Sequence, residues 1–395
     1  MRHDGGHAGA PAVDRAWLER ALSGLVAIDS VNPTLVAGGA GEAAAAAWMA
    51  GAMRDLGMEV EVREAAPGRA SAVGRLRGAG GGRSLMLNGH IDTVGVEGME
   101  RPFEPRVEGG RLYARGAYDM KGAVVSALAA VKALAEAGVR LAGDLVIAAV
   151  ADEEDASMGT RDVLAAVRTD GAVVVEPTEL ALAVAHKGFV WLELEAAGRA
   201  AHGSRWDLGV DANLAMGRLL AALADLEAQV RARAPHAIVG PPSFHVGVLE
   251  GGTGPSTYAA RSVAQIERRT MPGETPESVE REIAAIVEGA RKEHGLDGVT
   301  LRTRLARPPF EARANSPLAA AVEAAGAGAM GRAPERVGVG FWTDAALCAE
   351  AGMDTVIFGP IGAGAHETVE WVDLDSCAAV AATLAGAAIA YCGRA

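Results

Sequence analysis

The sequence predicts an α/β fold, a mainly parallel sheet covered by helices, interrupted by a smaller inserted α+β domain of ferredoxin-like order. Strand-like and helix-like segments alternate from about Glu59 to Leu182, as they do when a parallel sheet is wound with helical crossovers. Near His186 the pattern changes to strand, helix, strand, strand, helix, strand. The alternation returns after about Pro308. A chain of 395 residues also exceeds what one ordinary core accommodates. The expected domains are therefore 1–185 with 308–395, and an insertion over 186–307.

Met1–Pro11 is polar and glycine-rich and reads as a loose tail. Asp14 is placed to cap a helix with Trp17, Leu18, Ala21, Leu22, Leu25 and Val26 on one face. Ser30-Val31-Asn32-Pro33 breaks that helix. A second is predicted from about Glu42 to Leu56, with Gly57 as its stop. Glu59–Arg63 is strand-like. Four short apolar runs follow, and each leads to acids or a histidine. Ser84–Asn88 leads to His90 and Asp92, and Leu145–Ala151 to Asp152-Glu153-Glu154. Ala172–Val175 leads to Glu176, and Thr355–Phe358 to Gly364-Ala365-His366-Glu367. Within the insertion, strands are predicted at Phe189–Ala197, Ser243–Glu250, Ser262–Arg268 and Thr300–Ala306, with helices at Asp211–Ala232 and Pro276–Lys292. In the last part, helices near Ser316–Ala325, Thr343–Ala351 and Asp373–Ala390 flank strands at Val337–Phe341 and Thr355–Phe358.

A net charge of −13 with no basic stripe argues against a nucleic-acid partner. No GxGxxG or GxxxxGK[ST] occurs, so nucleotide binding lacks support. No uninterrupted apolar run reaches about 18 residues, so no membrane span is expected. Cys348, Cys377 and Cys392 form no CxxC pair and read as idle or buried thiols, which fits a reducing cytoplasm.

The acids and histidines carry the chemistry. In open α/β sheets, ligands collect at the carboxyl ends of parallel strands. Taken singly, each residue has a structural alternative: Asp119 before a helix would serve as a cap, and Glu153-Glu154 as a solvated first turn. Together they fall where one fold would bring them to one face. In His90-x-Asp92 the acid can accept the second ring N–H of the histidine, which fixes its tautomer and strengthens a metal ligand. Of Glu153 and Glu154, one can bind metal while the other holds a proton. Asp119, on a glycine-flanked turn, can bridge two ions. Imidazole with carboxylate oxygen suits Zn²⁺, with Co²⁺ or Mn²⁺ as alternatives.

Five ordered motifs carry a family resemblance. They are Gly89-His90-Ile91-Asp92-Thr93-Val94, the stretch Gly110–Gly122 with Gly116-Ala117-Tyr118-Asp119-Met120-Lys121-Gly122, Ala151-Asp152-Glu153-Glu154, Val175-Glu176-Pro177-Thr178 and Gly364-Ala365-His366-Glu367. From about Asp14 onward the chain resembles the co-catalytic zinc amidohydrolases and metallopeptidases of the acetylornithine deacetylase, succinyl-diaminopimelate desuccinylase, aminoacylase and carboxypeptidase G family. The resemblance implies two divalent metal ions. His90, Asp119 and Glu176 would hold one, and Asp119, Glu154 and His366 the other. Glu153 would be the general base, Asp92 the support of His90, and the Asp119-Met120 peptide cis. It implies that the larger domain is catalytic and that the insertion is a lid and dimerisation domain.

In that insertion, Gly198–Ser204 resembles the family's histidine segment, so His202 would reach the partner subunit's site and polarise the substrate carbonyl. Read alone, it would be a solvated loop histidine. Arg269 lies in a stretch resembling the family's acid-x-Arg-x-x-Pro strand and would grip a substrate carboxylate; a surface ion pair is the alternative. The implied activity is hydrolysis of the amide of an N-acyl amino acid by metal-activated water. The implied assembly is a cytoplasmic homodimer joined through the insertion. A di- or carboxypeptidase of the same family is the nearest rival, and a non-catalytic binding module on the same scaffold is a rival of another class.

Overall fold

The computed structural model describes residues 11–395. The expected tail lies outside them except for Pro11. The chain divides into two compact units. The first comprises the chain up to Val184, Ala312–Val337 and Thr343–Ala395; the second comprises Ala185–Glu311 and Gly338–Trp342. The expected insertion over 186–307 is thus extended by two short pieces, for local reasons. Phe310 and Glu311 pair with His186 and Ala185. Trp342 donates its indole N–H to the Pro308 carbonyl at 3.0 Å and lies edge-on to the His186 ring.

The sheet of the first unit runs Glu59–Ala66, Arg69–Leu76, Leu145–Val150, Leu85–His90, Gly171–Val174, Asp354–Ile357, Leu182–His186. Its three central pairings are parallel. Those on either side are antiparallel, so the sheet is mixed and its parallel part is the middle. At the first edge the cause is visible in the chain. Only Pro67 and Gly68, the latter at φ 77°, separate two strands, and so short a link joins only antiparallel neighbours.

Helix Arg15–Val26 starts at Asp14, whose carboxylate accepts the Trp17 N–H at 2.9 Å, and it buries Leu18, Ala21, Leu22, Leu25 and Val26. Helix Gly122–Glu136 is buried along almost its whole length. Leu374–Cys392 is the one helix among the described residues long and apolar enough to cross a membrane by length and composition. It packs against Pro317–Met330 and Gly122–Glu136, burying Cys377, Val380, Leu384 and Ala388, so its apolar surface faces a protein core. All three cysteines are free and buried.

The second unit is an antiparallel sheet in the order Ser243–Gly251, Arg261–Thr270, Gly188–Ala197, Val299–Arg307. In chain order these are its second, third, first and fourth strands, the ferredoxin-like arrangement. Helices Ala212–Arg231 and Pro276–His294 begin at Asp211 and at a Thr275–Ser278 capping box. The unit has its own core, including Leu192, Leu219, Leu223, Ile266 and Ile283.

The strand that delivers His90 leaves no room for change just before it. A Cβ on Gly89 would lie 2.8 Å from methyls of Val124 and Val175 and 3.0 Å from the Met120 methyl. Gly89→Ala is expected to cost about 1–3 kcal/mol, read as a lower urea midpoint at unchanged slope.

Candidate metal centre

Three neighbouring parallel strands end on the same edge of the sheet. Leu85–His90 ends in His90 itself, Leu145–Val150 leads into Asp152-Glu153-Glu154, and Gly171–Val174 leads into Glu176. His90 is buried. Its Nδ1 lies 3.0 Å from the Asp92 carbonyl and 3.5 Å from Asp92 Oδ1, which leaves Nε2 as the free ligand atom. Nε2 is 3.0 Å from Asp119 Oδ1 and 4.0 Å from Glu176 Oε1.

Asp119 arrives from the irregular turn Ala117–Lys121, where its peptide to Met120 is cis. Its two oxygens face opposite ways. Oδ1 faces His90, and Oδ2 is 3.3 Å from His366 Nε2. His366, at φ 62° on an exposed loop, also approaches Glu154 Oε2 at 3.1 Å. The result is two groups of ligand atoms sharing one carboxylate: His90, Asp119 and Glu176, and Asp119, Glu154 and His366. Within each, all ligand atoms lie within 4.8 Å of one another.

Asp92 does more than hold His90. Its carboxylate oxygens accept the Glu153 N–H at 3.1 Å and the Glu154 N–H at 3.2 Å, so one residue meets the imidazole through its backbone carbonyl and holds the acidic turn through its buried carboxylate. Asn32 donates to Asp92 at 2.9 Å and to Asp152 at 3.1 Å. Arg69 in turn donates to Asn32 Oδ1 at 3.0 Å, to Asp152 at 2.6 Å and to both oxygens of Glu42 at 2.8 Å.

The electrostatics are those of a site built for cations. Burial, reinforced by the Glu176 charge, pushes Glu153 well above the ordinary carboxylate range. Burial does the same to Glu176 and Glu154, with the neighbouring Asp119 carboxylate adding to each. Burial would also raise Asp119, but hydrogen bonds from His366 and His90 outweigh it and hold Asp119 low. Hydrogen bonds to Asp119 and Glu154 raise His366 to about 10. The donor set, one imidazole and one glutamate on each side of a shared aspartate, fits divalent ions of the zinc, cobalt or manganese kind.

His202 and Arg269 lie in the second unit. His202 is exposed, with Nδ1 2.8 Å from Ser204 Oγ. Arg269 donates to the Gly340 carbonyl and stacks 5.4 Å from the centre of the Phe189 ring.

Asn32, Arg69 and Glu370 escaped the sequence reading. Asn32 stood in a segment read only as a helix break. Glu370 follows His366 by four positions, its only signal. Arg69 had none, since a strand arginine is ordinarily a surface residue.

A mixed α/β unit with paired ligand groups at its strand ends defines a metal-dependent hydrolase of amide bonds. Residues 86–390 match Peptidase family M20/M25/M40, and the chain belongs to that family. It is 32% identical over 323 residues to an acetylornithine deacetylase of Myxococcus xanthus, across 80% of this chain and 82% of the relative. It is 29% identical to the N-formyl-4-amino-5-aminomethyl-2-methylpyrimidine deformylase of Bacillus subtilis, over 60% of each chain. Its fold is similar to that of an aminopeptidase from Bacillus cereus, with a TM-score of 0.79 at 18% identity over 96% of this chain and 99% of that one.

Because the Asp92 carboxylate lies 3.5 Å from His90 Nδ1 and accepts both N–H groups of the acidic turn, Asp92→Asn should weaken metal binding about 10–100-fold. Competition with a chromophoric chelator measures this, with circular dichroism confirming an unchanged fold.

Proposed function

We propose that this protein is a two-zinc deacylase of the acetylornithine deacetylase and succinyl-diaminopimelate desuccinylase type. It would cleave the amide of an N-acyl amino acid that keeps a free carboxylate. The observation that carries the reading is the sharing of Asp119 between two ligand groups, with Glu153 next in sequence to the ligand Glu154 on a turn held by Asp92. In this reading His90, Asp119 and Glu176 hold one ion, and Asp119, Glu154 and His366 the other. The glutamate at position 176 and the likeness to an acetylornithine deacetylase support deacylation over peptide cleavage.

When bound, two divalent ions would supply Lewis acidity and lower the pKa of the attacking water toward neutrality. The chain's own groups do the rest. Glu153, on the turn held by Asp92, accepts the proton of the attacking water. It then returns that proton to the departing nitrogen, which must leave as a neutral amine. Asp92 keeps the imidazole of His90 and the Glu153-Glu154 turn in register throughout. We assign to His202 stabilisation of the developing oxyanion in the partner subunit's site. Arg269 takes the substrate carboxylate, for which a planar guanidinium is well shaped. The ferredoxin-like unit then serves as lid and homodimer interface, and the three free cysteines fit a cytoplasmic location.

Glu153→Ala should retain bound metal and lose about 10²–10⁴ in kcat. Undiminished turnover by the fully metallated variant rejects the base assignment. A zinc-loaded panel of N-acetylornithine, N-succinyl-diaminopimelate, other N-acyl amino acids and dipeptides, scored by release of primary amine, tests the substrate class. Acyl amino acids are expected to show the higher kcat/KM; turnover confined to dipeptides would make the protein a peptidase instead.

A further inference from the structure

We propose that Glu370 is a positioning residue for the second ligand group, tying the turn that carries Asp119 to the loop that carries His366. The proposal rests on the ligand assignment above. Glu370 is 2% exposed, and its carboxylate is hydrogen-bonded to the turn that carries Asp119 and to Arg115. Oε1 accepts the backbone N–H groups of Tyr118 at 2.8 Å and Asp119 at 3.0 Å. Oε2 accepts the Gly116 N–H at 2.9 Å and Arg115 Nη1 at 2.6 Å. Arg115 then donates Nη2 to the carbonyl of Glu367, next to His366, at 2.9 Å.

Both segments need such a tie. The Asp119 turn enters through Gly116 at φ 76° and departs from helical angles at Asp119 and Met120, so side-chain oxygens take N–H groups that a regular helical ladder would otherwise engage. The His366 loop is the tip of a hairpin whose base pairs Gly362–Ala363 with Trp371–Asp373. Residues 365–369 are exposed. Between that base and the tip, the buried Glu370–Arg115 pair and its reach to Glu367 are what hold His366 toward Asp119 and Glu154.

The consequence is unequal. Two of the three ligands in the second group, Asp119 and His366, sit on segments held by Glu370. In the first group only Asp119 does, because His90 is fixed by Asp92 and Glu176 by the end of its strand. Disturbing Glu370 should therefore loosen the second ion far more than the first. Glu370→Gln is the sharp probe. An amide has one accepting oxygen, so whichever way it lies its NH₂ faces two donors.

The test is a zinc titration of chelator-stripped protein against a competing chromophoric chelator. Wild type is expected to take up two equivalents. Glu370→Gln should weaken the second about 10–100-fold and leave the first unchanged, matching the pattern of His366→Ala. Arg115→Lys keeps a cation beside Glu370 but lacks the second arm of the fork that reaches Glu367. It should show the same selective loss, and it decides the matter if Glu370→Gln does not fold. A general loss of stability does not discriminate between the equivalents, so equal weakening of both, or of neither, overturns the proposal. Wild type that takes up no zinc overturns the ligand assignment instead.

Discussion

The constraint on which the rest depends is the crowding of carboxylates at one edge of the sheet. Asp119, Glu153, Glu154 and Glu176 share a largely enclosed space with only two imidazoles. Taking several like charges out of water and setting them side by side is strongly unfavourable unless positive charge is brought in. The shifts of the groups express that cost, with most of the carboxylates pushed up and His366 pulled up to about 10. A divalent cation relieves the repulsion more completely than a proton on an imidazole, because it meets several oxygens at once.

Such a site survives only if its side chains cannot swing apart, and the surrounding structure supplies that rigidity with further buried charge. Arg69 binds Glu42 and Asp152 and passes its orientation through Asn32 to Asp92. Asp92 fixes His90 and the turn that bears Glu153 and Glu154. On the opposite side, Glu370 and Arg115 brace the turn of Asp119. Buried pairs of this kind are not in themselves a strong source of stability. Their value here is geometric: each holds a strand end or turn whose backbone makes few regular hydrogen bonds.

The ferredoxin-like unit and the helices of the first unit were legible because their signals are local. Asp14 ahead of a periodic apolar face and Asp211 ahead of another read directly as helix starts, and strict alternation in Phe189–Ala197 reads as a strand. The mixed character of the large sheet was less legible. Strand direction depends on how far the chain travels between strands, and the Pro67–Gly68 link that reverses it lies beside a strand whose own residues carry no mark of orientation. The pieces Phe310–Glu311 and Gly338–Trp342 joined the second unit through pairing and stacking with distant partners, which no local pattern records.

The residue types in five short motifs by themselves determined the chemistry of this protein. Histidines and acids placed just after apolar strands have few other uses in such numbers, and imidazole and carboxylate select the class of metal. Only the tertiary structure decided which atoms face one another: that Asp119 turns one oxygen to each histidine, that Asp92 serves both His90 and the acidic turn, and that Asn32, Arg69 and Glu370 stand behind them. The physical reason is that ligand identity is a property of single side chains. Their support comes from hydrogen bonds between residues that folding alone brings together, such as Asn32 with Asp152 or Arg115 with Glu370.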